Sequence, residues 1–390
     1  AKSAIVSDDY GRFLASPTVT VSSGSSAGHG VRGKEYVRIS DGTLSVTTKA
    51  AMKKGIGSDD YVLVEGGTTT VTVSGGVAKD ESGEYTGTAG VRADNYFAMT
   101  GGSLTIKNTG SGGKGISAGS YDYDASDHAL SDSYISGGTL NITTTGSESN
   151  DVSSKGIKIG YKHTEGKTSA YAGNFNISGG SIIVKTSKSE GIEAKGDLTV
   201  SGGEVYSYSN GDDAINAQGE VNVTGGYIYA YSSANDAMDS NCDMNLSGGY
   251  VFAVTTAGNP EVALDANTEE RYKLYINSGA TVVAYGGLES GYSASQTVYS
   301  FSCTAGKWNA LHNGSSYIAA FNAPSGVSSV AVSAPSLSKG YTNVTVGSSD
   351  YLCNSMWAVS GISGGTATSL STYNGGSGPG GGGGGHGPGW

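Results

Sequence analysis

The sequence lacks several features that mark well-known protein classes. It has six prolines in 390 residues, and its 65 glycines follow no Gly-X-Y period, which excludes a collagen-like chain. No segment keeps an amphipathic helical pattern, so we expect almost no helix. No apolar run reaches the roughly 18 residues of a membrane span, so we expect no membrane insertion.

Basic side chains are also scarce. Lysine and arginine total 23 against 34 aspartates and glutamates, a net charge of −11. No basic residues cluster, so we expect no nucleic-acid partner, and the acidic balance suits a protein that binds cations.

Signals for an enzyme are weak. Only five histidines occur, none in a recognisable nucleophile context. A lyase acting on uronic acid polymers would need a basic side chain near a calcium-held substrate, and Lys195 is the nearest candidate to the acidic positions described below. We therefore expect no catalysis, with a calcium-dependent pectate-type lyase as the alternative.

Three cysteines permit at most one disulfide within the chain. Cys303 and Cys353 both lie outside the regular repeats, which favours a bond between them, and Cys242 is expected to be a structural thiol. The chain starts at Ala1 without a charged-then-apolar leader and is rich in Ser, Thr, Gly and Tyr. We expect a mature product that is secreted or held at the cell surface.

What the sequence does contain is a repeat. Gly-Gly pairs at 179–180, 202–203, 225–226 and 248–249 are spaced by 23 residues, with short apolar alternations between them. Such a period predicts stacked turns of a solenoid. Weaker copies bring the total to about nine, so we predict an all-β, right-handed parallel β-helix with three short strands per turn.

The pattern divides the chain into four parts. We predict an N-terminal extended segment or cap at 1–24, the β-helix at 25–287, a C-terminal β cap or module at 288–372, and a glycine-rich tail at 373–390. Insertions at 77–88, 119–133, 147–154 and 160–173 lengthen the early turns, and such loops often carry binding. The insertion at 119–133 includes an acidic run at 121–127, which we interpret as a solvated loop because it lacks the later residues of an EF-hand.

Strand alternation predicts which side chains face the interior. The expected inward residues of one turn are Ile192, Ala194, Leu198, Val200, Val205 and Ser207. Burial of such residues in a continuous column contributes about 25 cal/mol per Å².

Stacking also aligns acidic residues roughly 4.8 Å apart. One predicted row contains Glu193, Asn216, Asp239 and Asp265, and a second contains Glu190, Asp212, Asp213, Asn235 and Asp236. Neighbouring carboxylates repel by about 3 kcal/mol unless a cation or a proton intervenes. Because carboxylate and amide oxygens are the ligands Ca²⁺ takes, we predict a Ca²⁺ site at this corner. The alternative is that Asp and Asn simply fill turn positions.

Aromatic residues follow the third strand of each turn. The predicted columns contain Tyr206, Tyr229 and Phe252 on one line and Tyr208 and Tyr231 on the other. Exposed rings on a flat sheet could form a carbohydrate-binding platform with their hydroxyls in water. Equally, tyrosine suits strands and stacks on itself along a ladder.

The segments 191–203 and 210–217 resemble the repeat of calcium-binding, carbohydrate-binding β-helix proteins of cellulolytic bacteria, which are similar in fold to pectate lyases. The resemblance extends through 336–342 and 363–366 to the glycine-rich end. It implies an exported, cell-surface adhesion protein that binds cellulose or acidic pectic polysaccharide without established catalysis. By position it implies that the acidic corner is formed by Asp212, Asp213, Asn216, Asp236 and Asp239.

A structural role is the second alternative. Uncapped terminal turns expose strand edges that recruit partners, so head-to-tail self-association into an extracellular filament is possible. Residues 15–22 or the glycine-rich tail could then bridge subunits.

Overall fold

The computed structural model describes residues 5–7, 10–13, 18–25, 28–125 and 128–375. This part of the chain is nearly all β, as predicted. It contains one short α-helix, Tyr121–Asp124, and two 3₁₀ segments, Thr268–Glu270 and Ser348–Asp350. The predicted tail from residue 376 onward lies outside the described residues.

Ten short strands form a sheet that we call sheet A, in which every neighbouring pair is parallel. Its strands are Ile5–Ser7, Val31–Gly33, Lys54–Ser58, Ala89–Ala93, Lys114–Ala118, Ile157–Ile159, Ile192–Ala194, Ile215–Ala217, Met238–Ser240 and Leu264–Ala266. The aliphatic residue that recurs in the sequence is in register throughout, from Val31 and Ile56 to Met238 and Leu264.

A second sheet, sheet B, has 20 strands and is also mostly parallel. Its strands are Tyr10–Phe13, Thr18–Ser23, Tyr36–Ile39, Thr43–Thr48, Tyr61–Val64, Thr68–Val73, Phe97–Met99, Ser103–Asn108, Ser133–Thr144, Phe175–Thr186, Leu198–Ser209, Val221–Ser232, Met244–Leu246, Tyr250–Thr255, Leu274–Ile276, Thr281–Tyr285, Ser293–Ala294, Tyr299–Ser302, Ser329–Ser333 and Ser371–Thr372.

The glycine pairs do not separate two strands in the most regular turns. In the strand Leu198–Ser209 the pair Gly202-Gly203 lies inside one continuous element, where the pairing register shifts. Gly203 has φ of +81°, and a Cβ on Gly202 would lie 2.4 Å from the Ser178 carbonyl oxygen of the preceding turn. The predicted sharp corner is therefore a bulge that bends sheet B, and both glycines are required there.

The interior is a continuous apolar core that runs from Val21 to residues of the last turns such as Leu288. All six predicted inward residues of the turn at 192–207 are at most 1% exposed, which confirms the alternation. Ser207 is accommodated there because its hydroxyl donates to the carbonyl of Ala214 at 2.6 Å.

The N-terminal strands continue the two sheets. Ile5–Ser7 pairs with Val31–Gly33, and both Tyr10–Phe13 and Thr18–Ser23 pair with the following turn, all in parallel. The described part of the predicted segment 1–24 is therefore a further turn rather than an extension outside the sheets.

Two hairpins extend from the early turns, and antiparallel strands dominate beyond residue 299. The hairpins are Ala78–Lys79 with Tyr85–Thr86 and Tyr161–Glu165 with Thr168–Ala172. A five-stranded antiparallel sheet contains Trp308–His312, Tyr317–Asn322, Lys339–Thr342, Trp357–Ala358 and Thr366–Thr368, and a small sheet pairs Thr345–Val346 with Ile362–Ser363.

This C-terminal region packs against the outer face of sheet B. Trp357 is fully buried, its ring meets Phe252 edge-on, and its indole Nε1 donates to the Ile228 carbonyl at 2.9 Å. Phe301 and Phe321 complete this second apolar core. The C-terminal region is therefore attached along the side of the parallel sheets.

The predicted disulfide is absent, because Cys303 and Cys353 are both free thiols. The Cys303 thiol donates to the Val327 carbonyl at 3.5 Å, and the Cys353 thiol donates to the Val205 carbonyl of sheet B at 3.1 Å. Each cysteine serves a separate packing contact. Cys242 is also free, as expected.

We expect Trp357→Ala to lower the free energy of unfolding by about 3–5 kcal/mol, because it removes a fully buried ring and leaves the Ile228 carbonyl without its donor. Denaturant unfolding followed by circular dichroism measures the loss. Tyr85→Ala, which removes an exposed ring on a hairpin, is the control. Equal losses in the two variants would show that the C-terminal region does not depend on this anchor.

Candidate functional site

The four residues of the first predicted acidic row occupy neighbouring positions on sheet A. Strand pairing places Glu193 beside Asn216, Asn216 beside Asp239, and Asp239 beside Asp265. The Asn216 side-chain amide donates to Asp239 Oδ2 at 2.6 Å and to Asp213 Oδ2 at 3.2 Å. The two predicted rows therefore meet at Asn216.

The second row is tied together by backbone and amide donors. The backbone N–H of Asp236 donates to Asp213 Oδ1 at 3.1 Å. The backbone N–H of Val262 donates to Asp236 Oδ1 at 2.5 Å. The Asn235 amide donates to Asp212 Oδ1 at 2.9 Å. We call the set Asp212, Asp213, Asn216, Asn235, Asp236, Asp239 and Asp265 the acidic edge.

Glu193 lies in the first row, as predicted, but lysines pair with it and with Glu190, so we do not include these two glutamates in the acidic edge. Lys155 Nζ lies 2.5 Å from Glu190 and 2.7 Å from Glu193, and Lys195 Nζ lies 2.5 Å from Glu193. Burial alone raises the pKa of Glu193, but these lysines reverse the effect and hold it well below its usual value. Both glutamates are thus paired with lysines inside the protein.

The carboxyl groups of the acidic edge behave in the opposite way. Burial raises the pKa of Asp212 to about 6 and of Asp236 to about 8, and neighbouring carboxylates add to the burial effect. Burial and the other acidic residues also raise the pKa of Asp213 well above its usual value. Among the described residues, none of the ion pairs involves Asp213, Asp236 or Asp265. Each of these carboxyls is therefore harder to ionise in the folded protein than in the unfolded chain.

Glu289 is a neighbour of the acidic edge that sequence reasoning missed. Burial, a hydrogen bond with Glu289 and the charges of nearby carboxylates raise the pKa of Asp265 to about 10. Glu289 follows Leu288, which forms an isolated parallel bridge with Leu264 of the last strand of sheet A. Because the repeat pattern has faded at residue 289, the position of Glu289 beside Asp265 is evident only from the bridge between Leu288 and Leu264.

The donor chemistry of the acidic edge fits a hard cation, since every side chain offers oxygen. As positioned in the described ranges, however, no three acidic, histidine or cysteine side chains converge closely enough to hold a metal ion. The Asn216 amide nitrogen lies between Asp213 and Asp239 and keeps those two carboxylates apart.

The predicted aromatic platform is wrong for two of its five residues. Tyr229 is 2% exposed and Phe252 is fully buried, because the C-terminal region packs on them through Phe321 and Trp357. Tyr206 is partly covered by the same contact. The sequence contains no periodic signal for this packing.

The other column stacks on itself. The rings of Tyr208 and Tyr231 lie 4.4 Å apart with an interplanar angle of 4°. Each of the two rings therefore uses one of its faces within the column, and that face cannot lie on a sugar. Tyr36, Tyr61 and Tyr96 form a similar stack in the early turns.

The insertion at 119–133 contributes to a cleft. Ser120 caps the short helix Tyr121–Asp124 by accepting from the backbone N–H of Tyr123, and Tyr161 of the neighbouring hairpin donates to Asp124 at 2.6 Å. Residues 126 and 127 of the acidic run lie outside the described residues. The helix has no buried residue, so the described part of the acidic run agrees with the predicted solvated loop, and the Tyr161–Asp124 hydrogen bond attaches it to the hairpin.

These features define an all-β protein with two mostly parallel sheets, an acidic edge and a loop-lined cleft. Residues 2–235 match the family described as carbohydrate-binding domain-containing protein. The match covers more than half of the chain, and the protein belongs to this family. None of the curated proteins and none of the solved structures matches the chain. Within the described ranges, no helix has the length and apolarity that a membrane crossing requires.

We expect Lys155→Met to lower the free energy of unfolding by about 3–5 kcal/mol, because it leaves Glu190 and Glu193 buried without this partner. Denaturant unfolding measures the loss, and the exposed Lys34→Met is the matched control. Adding Glu193→Gln to Lys155→Met should restore part of the stability. A loss no larger than that of Lys34→Met would contradict the proposed balance of charges.

Proposed function

We propose that the protein is a non-catalytic, exported polysaccharide-binding protein that is built as a right-handed parallel β-helix and holds Ca²⁺ along the acidic edge. The observation that carries this proposal is the family match at residues 2–235. The family supports a polysaccharide partner, and cellulose or an acidic pectic glycan is the partner we propose. We also place the protein outside the cell or at its surface.

Strand order supports the proposed architecture. From residue 31 to residue 285 the chain alternates, apart from the two hairpins, between a strand in sheet A and strands in sheet B, and the strands of these two sheets pair in parallel with their equivalents in the neighbouring turns. A single apolar core lies between the two sheets. A chain that alternates between two parallel sheets around one core follows a helical path.

The Ca²⁺ part of the proposal is based on the charge of the acidic edge. Asp213, Asn216, Asp236, Asp239 and Asp265 would hold the ion, with Asp212 and Asn235 beside them. When bound, Ca²⁺ supplies positive charge to buried carboxylates and a coordination site for a hydroxyl or carboxylate of a ligand. Within the chain, the Asn216 side-chain amide donates to Asp213 and Asp239 and the Asp236 backbone N–H donates to Asp213, and these hydrogen bonds orient the carboxylate oxygens of the acidic edge.

The acidic edge gives the stability a specific pH dependence. Asp212 and Asp236, with pKa values of about 6 and 8, bind protons more tightly in the folded protein than in the unfolded chain. The unfolded chain therefore holds fewer protons between about pH 4 and pH 8, so the free energy of unfolding falls as the pH rises through this window.

We expect the melting temperature of chelator-treated protein to fall from pH 5 to pH 8, and Ca²⁺ at pH 8 to restore it, because the ion replaces the lost protons. Thermal unfolding at each pH measures both effects. Asp236→Asn with Asp265→Asn should flatten the pH dependence and remove the response to Ca²⁺, whereas the exposed Asp151→Asn should change neither. A response to Ca²⁺ that survives in the double variant would place the ion elsewhere.

We expect the full-length protein to be retained on insoluble cellulose or to bind polygalacturonate in solution, and the binding partner identifies the glycan. Parallel assays with Ca²⁺ and with chelator determine whether the ion contributes to binding. Binding to the acidic glycan alone should depend on Ca²⁺, because both partners are anionic. Binding to neither glycan, with or without Ca²⁺, would contradict the proposed function.

One observation favours the lyase as a second candidate. Lys158 lies beside Glu193 on the outward row of sheet A, and burial lowers its pKa to about 7, within the range of a general base. Its amine donates to the Gly160 carbonyl at 2.7 Å. Unsaturated uronide products released from polygalacturonate in the presence of Ca²⁺, and lost in Lys158→Met, would assign this activity.

The C-terminal end of sheet B gives less support to the alternative that the protein assembles head to tail into a filament. Thr281–Tyr285, a late parallel strand of sheet B, pairs on its other side with the antiparallel strand Ser329–Ser333. That strand covers the edge that a second copy would need for continued parallel pairing.

A further inference from the structure

A cleft of about 320 Å³ lies beside the early turns of sheet A. Its lining residues are Asp59, Arg92, Asp94, Ser120, Asp122, Tyr123 and His128. They come from the ends of three successive turns and from the insertion at 119–133. The whole cleft lies within the segment that matches the carbohydrate-binding family.

Arg92 is held in place at the base of the cleft. It extends outward from the strand Ala89–Ala93, and its Nε donates to Asp94 Oδ1 at 2.9 Å while Nη1 donates to the Ser117 hydroxyl at 3.1 Å. The Arg92 side chain retains 26% exposure and that of Asp94 retains 35%. Both groups are therefore oriented within the protein and accessible from the cleft.

The other walls are fixed in a similar way. Asp59 accepts both of its hydrogen bonds from Arg32 Nη2, at 2.5 and 2.6 Å. The Tyr123 hydroxyl donates to Asp60 at 3.1 Å, which attaches the inserted loop to the sheet. The rings of Tyr123 and His128 lie 5.2 Å apart at an interplanar angle of 43° and form an aromatic wall.

The charges of this cleft select the class of ligand. Asp59, Asp94 and Asp122 line the cleft, and Arg32 and Arg92 pair with two of these three carboxylates, so the remaining negative charge disfavours a uronate or another anion. The carboxylates of Asp59 and Asp94 already face arginines, and no metal-binding group of acidic side chains forms in the described part of the chain. A neutral hydroxyl can donate to a carboxylate and accept from a guanidinium at the same time.

We propose that this cleft binds a neutral, hydroxyl-rich sugar unit of a polysaccharide, through hydrogen bonds to Asp94 and Arg92 and contact with the Tyr123 and His128 rings. The inference rests on the proposed polysaccharide-binding function and adds the place and the ligand class. It also assigns binding to an inserted loop, where ring faces remain accessible, rather than to the stacked tyrosine columns.

Isothermal titration of the full-length protein with cellohexaose, and separately with a galacturonic acid hexamer, tests the proposal. We expect binding of the neutral oligosaccharide to weaken at least tenfold in Arg92→Gln and in His128→Ala. Arg38→Gln is the matched control, because Arg38 forms an equivalent exposed ion pair with Glu65 on sheet B, away from the cleft. Because His128 is exposed, His128→Ala should fold even if Arg92→Gln does not.

The outcomes separate this inference from the proposed function. Cellohexaose binding that is unchanged in both cleft variants would overturn the inference and leave the proposed function standing. Binding of the galacturonic acid hexamer in preference to cellohexaose, with loss of that binding in the cleft variants, would overturn the ligand class. Binding of neither oligosaccharide by the unaltered protein, together with no retention on either polymer, would overturn both.

Discussion

In-register parallel pairing is the constraint on which the rest of this structure depends. It places each residue of one turn beside the equivalent residue of the next, so a repeated sequence brings like groups together. For aliphatic residues this is favourable, because identical side chains such as Ile192 and Ile215 pack into one continuous core. For tyrosines it produces stacked columns, and for carboxylates it produces repulsion that must be balanced by another charge.

The outward row of sheet A shows two ways of balancing the buried carboxylates. In the earlier part, Lys155 and Lys195 surround Glu193, and the charges cancel within the protein. One turn later the lysines end, and Asn216, Asp239 and Asp265 follow in the same row. Where lysines pair with the buried carboxylates, the row contributes to the stability of the fold. Where acidic residues follow one another without lysines, the row is the place at which we propose that a cation binds.

Much of the fold could be predicted because the period encodes it. Ile192 and Val205 face the core because alternation in a regular turn leaves no other arrangement with an apolar interior. The pairing of Glu193 with Lys155 was missed because an inserted loop separates the two turns by more than the regular spacing. The burial of Tyr229 was missed because its cover, including Trp357, comes from a non-repeating region with no periodic signal. Sequence periodicity predicts contacts between equivalent positions and no others.

In-register pairing also bears on where in the molecule we propose that a sugar binds. In a repeated column, side chains of neighbouring turns contact one another. The Tyr208 ring lies on the Tyr231 ring, and the Asn216 amide donates to two carboxylates. A residue of an inserted loop has no equivalent in the next turn that could stack on it or pair with it. We therefore expect the side chains that contact a sugar to come from positions where the repeat is interrupted. Arg92 belongs to the repeat, but the cleft beside it exists because the loop carrying Tyr123 and His128 was inserted one turn later. In the binding mode that we propose, the regular turns are the rigid support and the residues of the inserted loop are the source of specificity.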